Sequence, residues 1–132
     1  MSILPPDSTL NLEPAWDVAL LFPRQGQWSV EEYLSLTEGT NQLVEYTNGS
    51  IEVLETPTLA HQRILRRLFV LLSKFVDQLQ LGEVLFAALP VQLTEKKFRE
   101  PDIIFVGNDR RIAADDLYLA HADLVMEIVR FV

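Results

Sequence analysis

The chain of 132 residues contains no cysteine. This absence excludes disulfide bonds and thiolate zinc sites, and it is compatible with the reducing cytoplasm. Long apolar runs are also lacking, since none approaches the roughly 18 residues of a membrane-spanning helix. The N-terminus has no basic start followed by an apolar stretch, as a signal peptide would. We therefore expect a cytoplasmic protein that does not bind membranes.

Basic residues are scarce as well. Eleven lysines and arginines stand against 19 acidic residues, which gives a formal net charge of -8. Non-specific adhesion to nucleic acid depends on basic side chains that neutralise phosphates, so this charge argues against broad adhesion. A local basic patch remains compatible with it. The length fits a single domain with a sizeable core.

The beginning of the chain differs from the rest. Four of its seven prolines fall within the first 26 residues, where no hydrophobic period is sustained. We expect residues 1–27 to form a leader that is extended or partly disordered, and residues 28–132 to form the domain. Ser29 and Glu32 then form a capping box, flanked by Trp28 and Tyr33 as a hydrophobic staple. A short helix is predicted from Ser29 to Gly39.

A β-hairpin follows, marked by Asn48-Gly49 between two alternating apolar runs. Counting outward from this turn places Glu45 directly opposite Glu52. Like charges in that position cost about 0.2–1 kcal/mol. Two readings stay open at this point: both carboxylates point into solvent, or they contribute to a cation site that needs further acids.

A long helix is predicted after Thr58, with Gly82 as its natural stop. Its apolar stripe makes it the main helix of the core. On another side lie Arg63, Arg67 and Lys74, which form either a solvated face or a phosphate-contacting edge. The stripe consists of Leu65, Leu68, Leu72, Phe75, Val76 and Leu79, widened by Ile64, Phe69 and Leu71.

The remainder of the chain predicts strands in EVLFAALPVQL, DIIFV and DLVMEIV, with a bend or edge at Pro90. Between them, TEKKFRE reads as a charged connection and residues 112–122 as a helical turn or two. The order of elements predicts an α/β or α+β architecture: one mixed sheet with the long helix on one face.

Two further acids stand out in these strands. Asp102 begins an apolar strand, where a turn or capping role is the alternative to a site. Glu127 is embedded in an apolar strand, where a partly exposed face or an ion pair to an arginine is the alternative. With Glu45, they place three carboxylates on separate strands. Such oxygen ligands on rigid elements suit Mg²⁺.

Five stretches in this order resemble a known family: WSVEEYLSL, LVEYTNGSIEVLE, TPTLAHQRILRRL, REPDIIFV and DLVMEIV. From Trp28 to Val129 the sequence is similar to the Uma-type restriction endonucleases of the PD-(D/E)xK nuclease superfamily. The resemblance implies a restriction-endonuclease-like core, a mixed sheet flanked by helices. It also implies Mg²⁺- or Mn²⁺-dependent hydrolysis of DNA phosphodiesters.

The resemblance assigns roles residue by residue. Glu45 matches the acid of the family's E-x-x-N-G hairpin, Asp102 the acid of its PD, and Glu127 the first position of (D/E)xK. It implies that Asp102 and Glu127 bind the metal and that Glu45 assists. His61 matches a histidine at the start of the family's long helix. It shares a helical stripe with Leu65, Leu68 and Leu72, so we expect its ring to face the sheet near the acids, where an imidazole is able to orient a carboxylate or a water or to contact phosphate; a capping or packing role is equally compatible.

The match departs from the signature at Val129, where the superfamily has a lysine. In Uma-type relatives that lysine lies on a helix after the strand, whereas this chain ends at Val132. The resemblance therefore implies a C-terminally truncated domain with weakened or lost activity. An uncovered last strand would favour a homodimer. The alternative function is a non-catalytic dimeric interaction or DNA-binding module on the same fold.

Overall fold

The computed structural model of the chain describes residues 21–108 and 117–129. These residues contain two helices and seven strands, which confirms the α+β class. Most of the predicted leader lies outside the described residues. In chain order the elements are α1 (Val30–Glu38), β1 (Val44–Thr47), β2 (Ser50–Val53), α2 (Leu59–Gln78), β3 (Gly82–Phe86), β4 (Val91–Thr94), β5 (Lys97–Arg99), β6 (Ile103–Gly107) and β7 (Leu124–Met126).

The strands divide between two sheets rather than forming the single mixed sheet expected. One sheet has the order β2-β1-β5-β4 and the other the order β3-β6-β7. All of these pairings are antiparallel. The division follows from Pro90, which separates β3 from β4 and lacks the N–H that a continuous central strand would need. An isolated parallel bridge joins Val91 to Leu119.

Strand β5 was missed in the sequence, where TEKKFRE was interpreted as a connection. It nevertheless lies inside the first sheet, between β1 and β4. Lys97, Phe98 and Arg99 alternate polar, apolar and polar, and Phe98 is completely buried. Phe98 is the one apolar residue of TEKKFRE, and a single apolar residue is too little to reveal a strand by periodicity. The partner strands on both sides supply the stability instead.

The first sheet and α1 enclose an aromatic core. Trp28, Tyr33, Tyr46 and Phe98 belong to one buried cluster. The hydroxyl of Tyr33 donates a hydrogen bond to the carbonyl of Val44 at 2.8 Å, and that of Tyr46 donates to Trp28 at 2.7 Å. Buried phenols therefore keep their polar ends satisfied. A second cluster, made chiefly of β4 and β6 side chains, lies around Ile104.

Helix α1 has the predicted ends. Ser29 is its N-cap, Glu32 completes the capping box, and Gly39 is the C-cap. Helix α2 begins after the N-cap Thr58 but ends at Gln78, before the predicted stop at Gly82.

The packing of α2 differs from the prediction of a core helix. Val76 is its one fully buried residue among those that the structure describes, whereas Ile64, Leu71, Phe75 and Leu79 are exposed. The helix packs on β3, where Phe69 meets Phe86 edge to face at 4.9 Å. The stripe is thus wider than the single short strand that covers it. The predicted polar side is confirmed as exposed at Arg63, Arg67 and Lys74.

The expectation of a helical turn over residues 112–122 lies partly outside the described residues. In the described part, residues 117–122 form a turn and the bridge at Leu119 instead. Within residues 21–108 and 117–129, neither helix is both long enough and apolar enough to cross a membrane.

The hairpin has the predicted register, with Glu45 opposite Glu52 and Tyr46 opposite Ile51. Asn48 and Gly49 both have positive φ, 47° and 90°. A Cβ atom at Gly49 would collide with the backbone carbonyl of Gly26. Both the dihedral angle and this close approach require glycine there.

We expect Gly49→Ala to destabilise the domain by about 1–3 kcal/mol, because alanine is strained at positive φ and its methyl group displaces the Gly26 backbone. Urea denaturation followed by circular dichroism measures the change. Gly39→Ala is the matched control, since its added Cβ meets nothing closer than 3.8 Å. Equal stability of the Gly49→Ala variant and the wild type would contradict the requirement for glycine at position 49.

Candidate active site

The candidate site is built around the segment Glu100-Pro101-Asp102. Strand β5 of the first sheet ends at Arg99 and strand β6 of the second sheet begins at Ile103. These three residues therefore carry the chain from one sheet to the other. All three are buried, with Glu100 2% and Asp102 8% exposed. A buried carboxylate needs a hydrogen-bond partner, an opposite charge, a proton or a metal ion.

Glu100 joins this crossing segment to the hairpin. Its Oε1 accepts a hydrogen bond from the N–H of Val44 at 2.8 Å. Its own N–H donates to Oε2 of Glu45 at 3.0 Å. Burial raises the pKa of Glu100 to about 7, the Val44 N–H opposes the rise, and the nearby charge of Glu45 adds to it. Glu100 is thus a buried acid that holds its proton close to neutral pH.

The facing glutamates of the hairpin have different environments. Glu52 is exposed, whereas the side chain of Glu45 is only 14% exposed. Oε1 of Glu45 lies 3.6 Å from Nε of Arg99, which continues the β1–β5 register next to it. Arg99 therefore offsets the like-charge contact across the hairpin. Glu45 faces the crossing segment and Glu52 faces solvent.

Asp102 is held from two directions. Its Oδ1 lies 3.2 Å from Nε2 of His61, in the first turn of α2. Its Oδ2 accepts a hydrogen bond from the N–H of Ile128 at 2.8 Å. The Thr58 hydroxyl accepts the His61 N–H at 3.1 Å, so capping involves the histidine backbone while the ring faces the acid. Nδ1 of His61 is buried and has no hydrogen-bond partner among the described residues.

Glu127 differs from its prediction. Strand β7 ends at Met126, so Glu127 follows the strand instead of being embedded in it, and its side chain is exposed. Partial burial raises its pKa, and the charges of Glu45 and Asp102 raise it further, while Arg99 opposes them. Glu127 is thus exposed just after the strand, and the charge of Arg99 acts on it.

Glu127 stands between two cavities. The first, of about 470 Å³, is lined by His61, Glu100, Asp102 and Glu127 together with apolar side chains. The second, of about 520 Å³, is lined by Glu45, Arg99, Glu127 and His121 among others. The structure thus brings Asp102 and Glu127 to one cavity, and Glu45 and Glu127 to its neighbour.

The donor set can be compared with the needs of a hard cation. Among the described residues, no group of three or more histidine, aspartate or glutamate side chains is arranged to hold a metal ion. Mg²⁺ commonly takes one or two carboxylates and completes its octahedron with waters and phosphate. Asp102 and Glu127 meet that smaller requirement at the first cavity. Each Asp102 oxygen retains a second lone pair beside its present partner.

Three residues near the site were not singled out from the sequence. Glu100 lies two residues before Asp102, and Arg99 would have been placed beside Glu45 once β5 was recognised as a strand. His121 had no predicted role, and its Nε2 lies 3.0 Å from Oδ1 of Asp123. No sequence pattern around His121 predicts its contact with Asp123.

The fold and these acids define a class: an α+β domain with carboxylates gathered where two antiparallel sheets meet, which is consistent with a restriction-endonuclease-like fold. A family model described as "Putative restriction endonuclease", Uma2, matches residues 30–130. The match covers most of the chain, which therefore belongs to the Uma2 family. No curated protein matches the chain.

The raised pKa of Glu100 predicts a pH-dependent stability. Between the ordinary pKa of 4.5 and the folded-state value of about 7, the folded protein binds more protons than the unfolded chain. The stabilisation is fully present below pH 4.5 and is lost as the pH rises through 7. We expect the free energy of unfolding to fall by up to about 3 kcal/mol over this window.

Glu100→Gln tests this, because glutamine keeps an acceptor for the Val44 N–H but does not ionise. Urea denaturation across the same pH range measures the difference in slope, and we expect the variant to lose most of the decline. Glu95→Gln, at an exposed position between β4 and β5, is the control and keeps the wild-type slope. A Glu100→Gln variant that declines as steeply as the wild type would rule out this origin.

Proposed function

We propose that the protein is a cytoplasmic, Mg²⁺- or Mn²⁺-dependent DNA endonuclease of the PD-(D/E)xK type, whose activity is weakened because Val129 stands where the superfamily signature has a lysine. The observation that carries the proposal is that Asp102 and Glu127, distant in sequence, line one cavity. Glu127 is exposed to solvent, so this end of the cavity is accessible from outside the protein. Membership of a restriction endonuclease family supports a nuclease-type function.

The residues divide the work as follows. Asp102 and Glu127 would hold the metal ion. When bound, the ion supplies a more acidic water and neutralises charge on the phosphodiester. Glu45 keeps the crossing segment in place through the Glu100 N–H and adds negative charge beside Glu127. His61 fixes the orientation of the Asp102 carboxylate through the 3.2 Å contact.

We expect Asp102→Asn to reduce cleavage by more than about 100-fold while the protein stays folded, because one anionic ligand is lost but the shape is kept. Cleavage of DNA of varied sequence with Mg²⁺ or Mn²⁺ measures activity. Calorimetric titration with each ion measures metal binding, which we expect the variant to lose. Thermal unfolding verifies that the variant stays folded, as expected if the Asn side-chain oxygen accepts the Ile128 N–H in place of the carboxylate.

Glu52→Gln is the matched control for Asp102→Asn, because it also removes one negative charge, but from an exposed acid of the β1–β2 hairpin. It should cut DNA as the wild type does. If wild-type protein never cuts DNA with either ion, the catalytic proposal fails. If Asp102→Asn cuts as fast as the wild type, the cavity between Asp102 and Glu127 is not the active site.

A second candidate function is a non-catalytic homodimeric module on the same fold. The exposed apolar side chains along α2 and at its C-cap favour it: Leu71, Phe75 and Leu79, spaced four residues apart on one face, are each more than half exposed. A contiguous apolar helix face in water is a common feature of protein interfaces.

If α2 forms the dimer interface, Phe75→Glu should convert the dimer to a monomer in light scattering, since a buried unpaired carboxylate is costly. Val53→Glu, on an exposed hairpin position, should leave the mass unchanged. A wild-type monomer with a clear Mg²⁺ isotherm would exclude this alternative and favour the nuclease.

A further inference from the structure

We propose that Arg99 binds a phosphate group of the DNA backbone at the cavity that it shares with Glu45 and Glu127. This inference rests on the proposed function, because it takes DNA as the ligand. It assigns a role to a residue that no sequence motif identified. It also states from which side of the site the DNA strand is bound.

The acids around the two cavities favour a positively charged group there, in addition to the metal ion of the proposed function. Glu45, Glu100, Asp102 and Glu127 line the cavities on either side of Glu127. Together they repel a phosphodiester unless positive charge is close by. Among the described residues that line these two cavities, Arg99 is the one lysine or arginine. Its charge already acts on Glu127, where it opposes the rise in pKa that burial, Glu45 and Asp102 cause.

The guanidinium of Arg99 is held in a fixed orientation. Nη1 donates to the carbonyl oxygens of Tyr46 at 3.1 Å and Phe98 at 2.9 Å, and to the Thr47 hydroxyl at 2.9 Å. Nε faces Glu45 at 3.6 Å. Nη2 makes no hydrogen bond to any described residue, and the side chain is 32% exposed. One edge of the group is thus anchored while its other donors remain available.

An anchored arginine with available donors suits phosphate, because its planar fork forms paired charge-assisted hydrogen bonds and needs little further ordering. A purely structural role is the competing explanation, since two of the hydrogen bonds from Nη1, those to Tyr46 and Thr47, tie β5 to β1. The two roles differ in their dependence on salt. A phosphate contact releases counterions from DNA, whereas an internal clamp does not.

The experiment measures binding of the full chain to a short DNA duplex by fluorescence anisotropy over a series of salt concentrations. Ca²⁺ replaces Mg²⁺ to permit binding without turnover. We expect Arg99→Ala to weaken binding several-fold and to reduce the slope of log K against log salt by about 0.9, the value of one phosphate contact. Arg99→Lys keeps the charge and should retain the wild-type slope with weaker binding.

Lys74→Ala is the matched control for loss of one positive charge. Lys74 is exposed on α2, 13 residues and about 20 Å along the helix from His61. It should leave the slope unchanged. Thermal unfolding of each variant identifies loss of folding, and if Arg99→Ala is unfolded, the comparison of Arg99→Lys with Arg99→Gln decides, because only the lysine keeps the charge.

A folded Arg99→Ala or Arg99→Gln variant with the wild-type salt slope would overturn the inference, as would a wild-type protein that binds no DNA. The nuclease proposal fails on a different result, namely DNA that is bound but never cut with Mg²⁺ or Mn²⁺. In that case a reduced slope for the Arg99 variants still supports the phosphate contact. Binding and cleavage therefore test the two proposals separately.

Discussion

The buried crossing from β5 to β6 is the constraint on which the rest of the molecule depends. Two acids enclose a proline in a segment without a regular strand, so their polar groups must find partners outside it. Glu100 finds the Val44 N–H in the first sheet, and Asp102 finds the Ile128 N–H beyond the second. Pro101 has no N–H to satisfy, which suits a buried position between them. Each carboxylate thereby anchors one end of the crossing segment to the sheet that it adjoins.

Gathering these acids has an electrostatic cost, and the structure offsets it in three ways. Arg99 lies beside Glu45, His61 lies beside Asp102, and Glu100 has a pKa near 7. Each of these three effects concerns a different carboxylate. Removing one partner therefore leaves a specific acid uncompensated rather than weakening the whole cluster evenly. A cluster of acids of this kind is typical of functional sites, where charged groups are arranged for chemistry at some cost in stability.

Local signals allowed correct prediction of local structure. The Asn48-Gly49 turn fixed the hairpin register, and the Ser29 to Glu32 capping box fixed the start of α1. Prediction failed where neighbours in space decide the outcome. Strand β5 depends on β1 and β4 on its two sides, and the division into two sheets depends on how the chain continues after Pro90. The exposed stripe of α2 shows that a periodic pattern identifies a helix but does not measure how much of it is covered.

Motif matching selected Glu45, Asp102, Glu127 and His61, and the structure places all four beside the two adjoining cavities. Their contacts could not be predicted in the same way. Glu45 and Asp102 each accept a hydrogen bond from a backbone N–H group, and such groups are present at nearly every residue and leave no mark in a sequence. The same feature explains why Glu100 was missed: its role depends on a bond to Val44, 56 residues away. Because Glu100 and Asp102 both anchor the crossing segment and line a cavity, loss of activity in a variant of either residue identifies a chemical role only when folding is measured beside it.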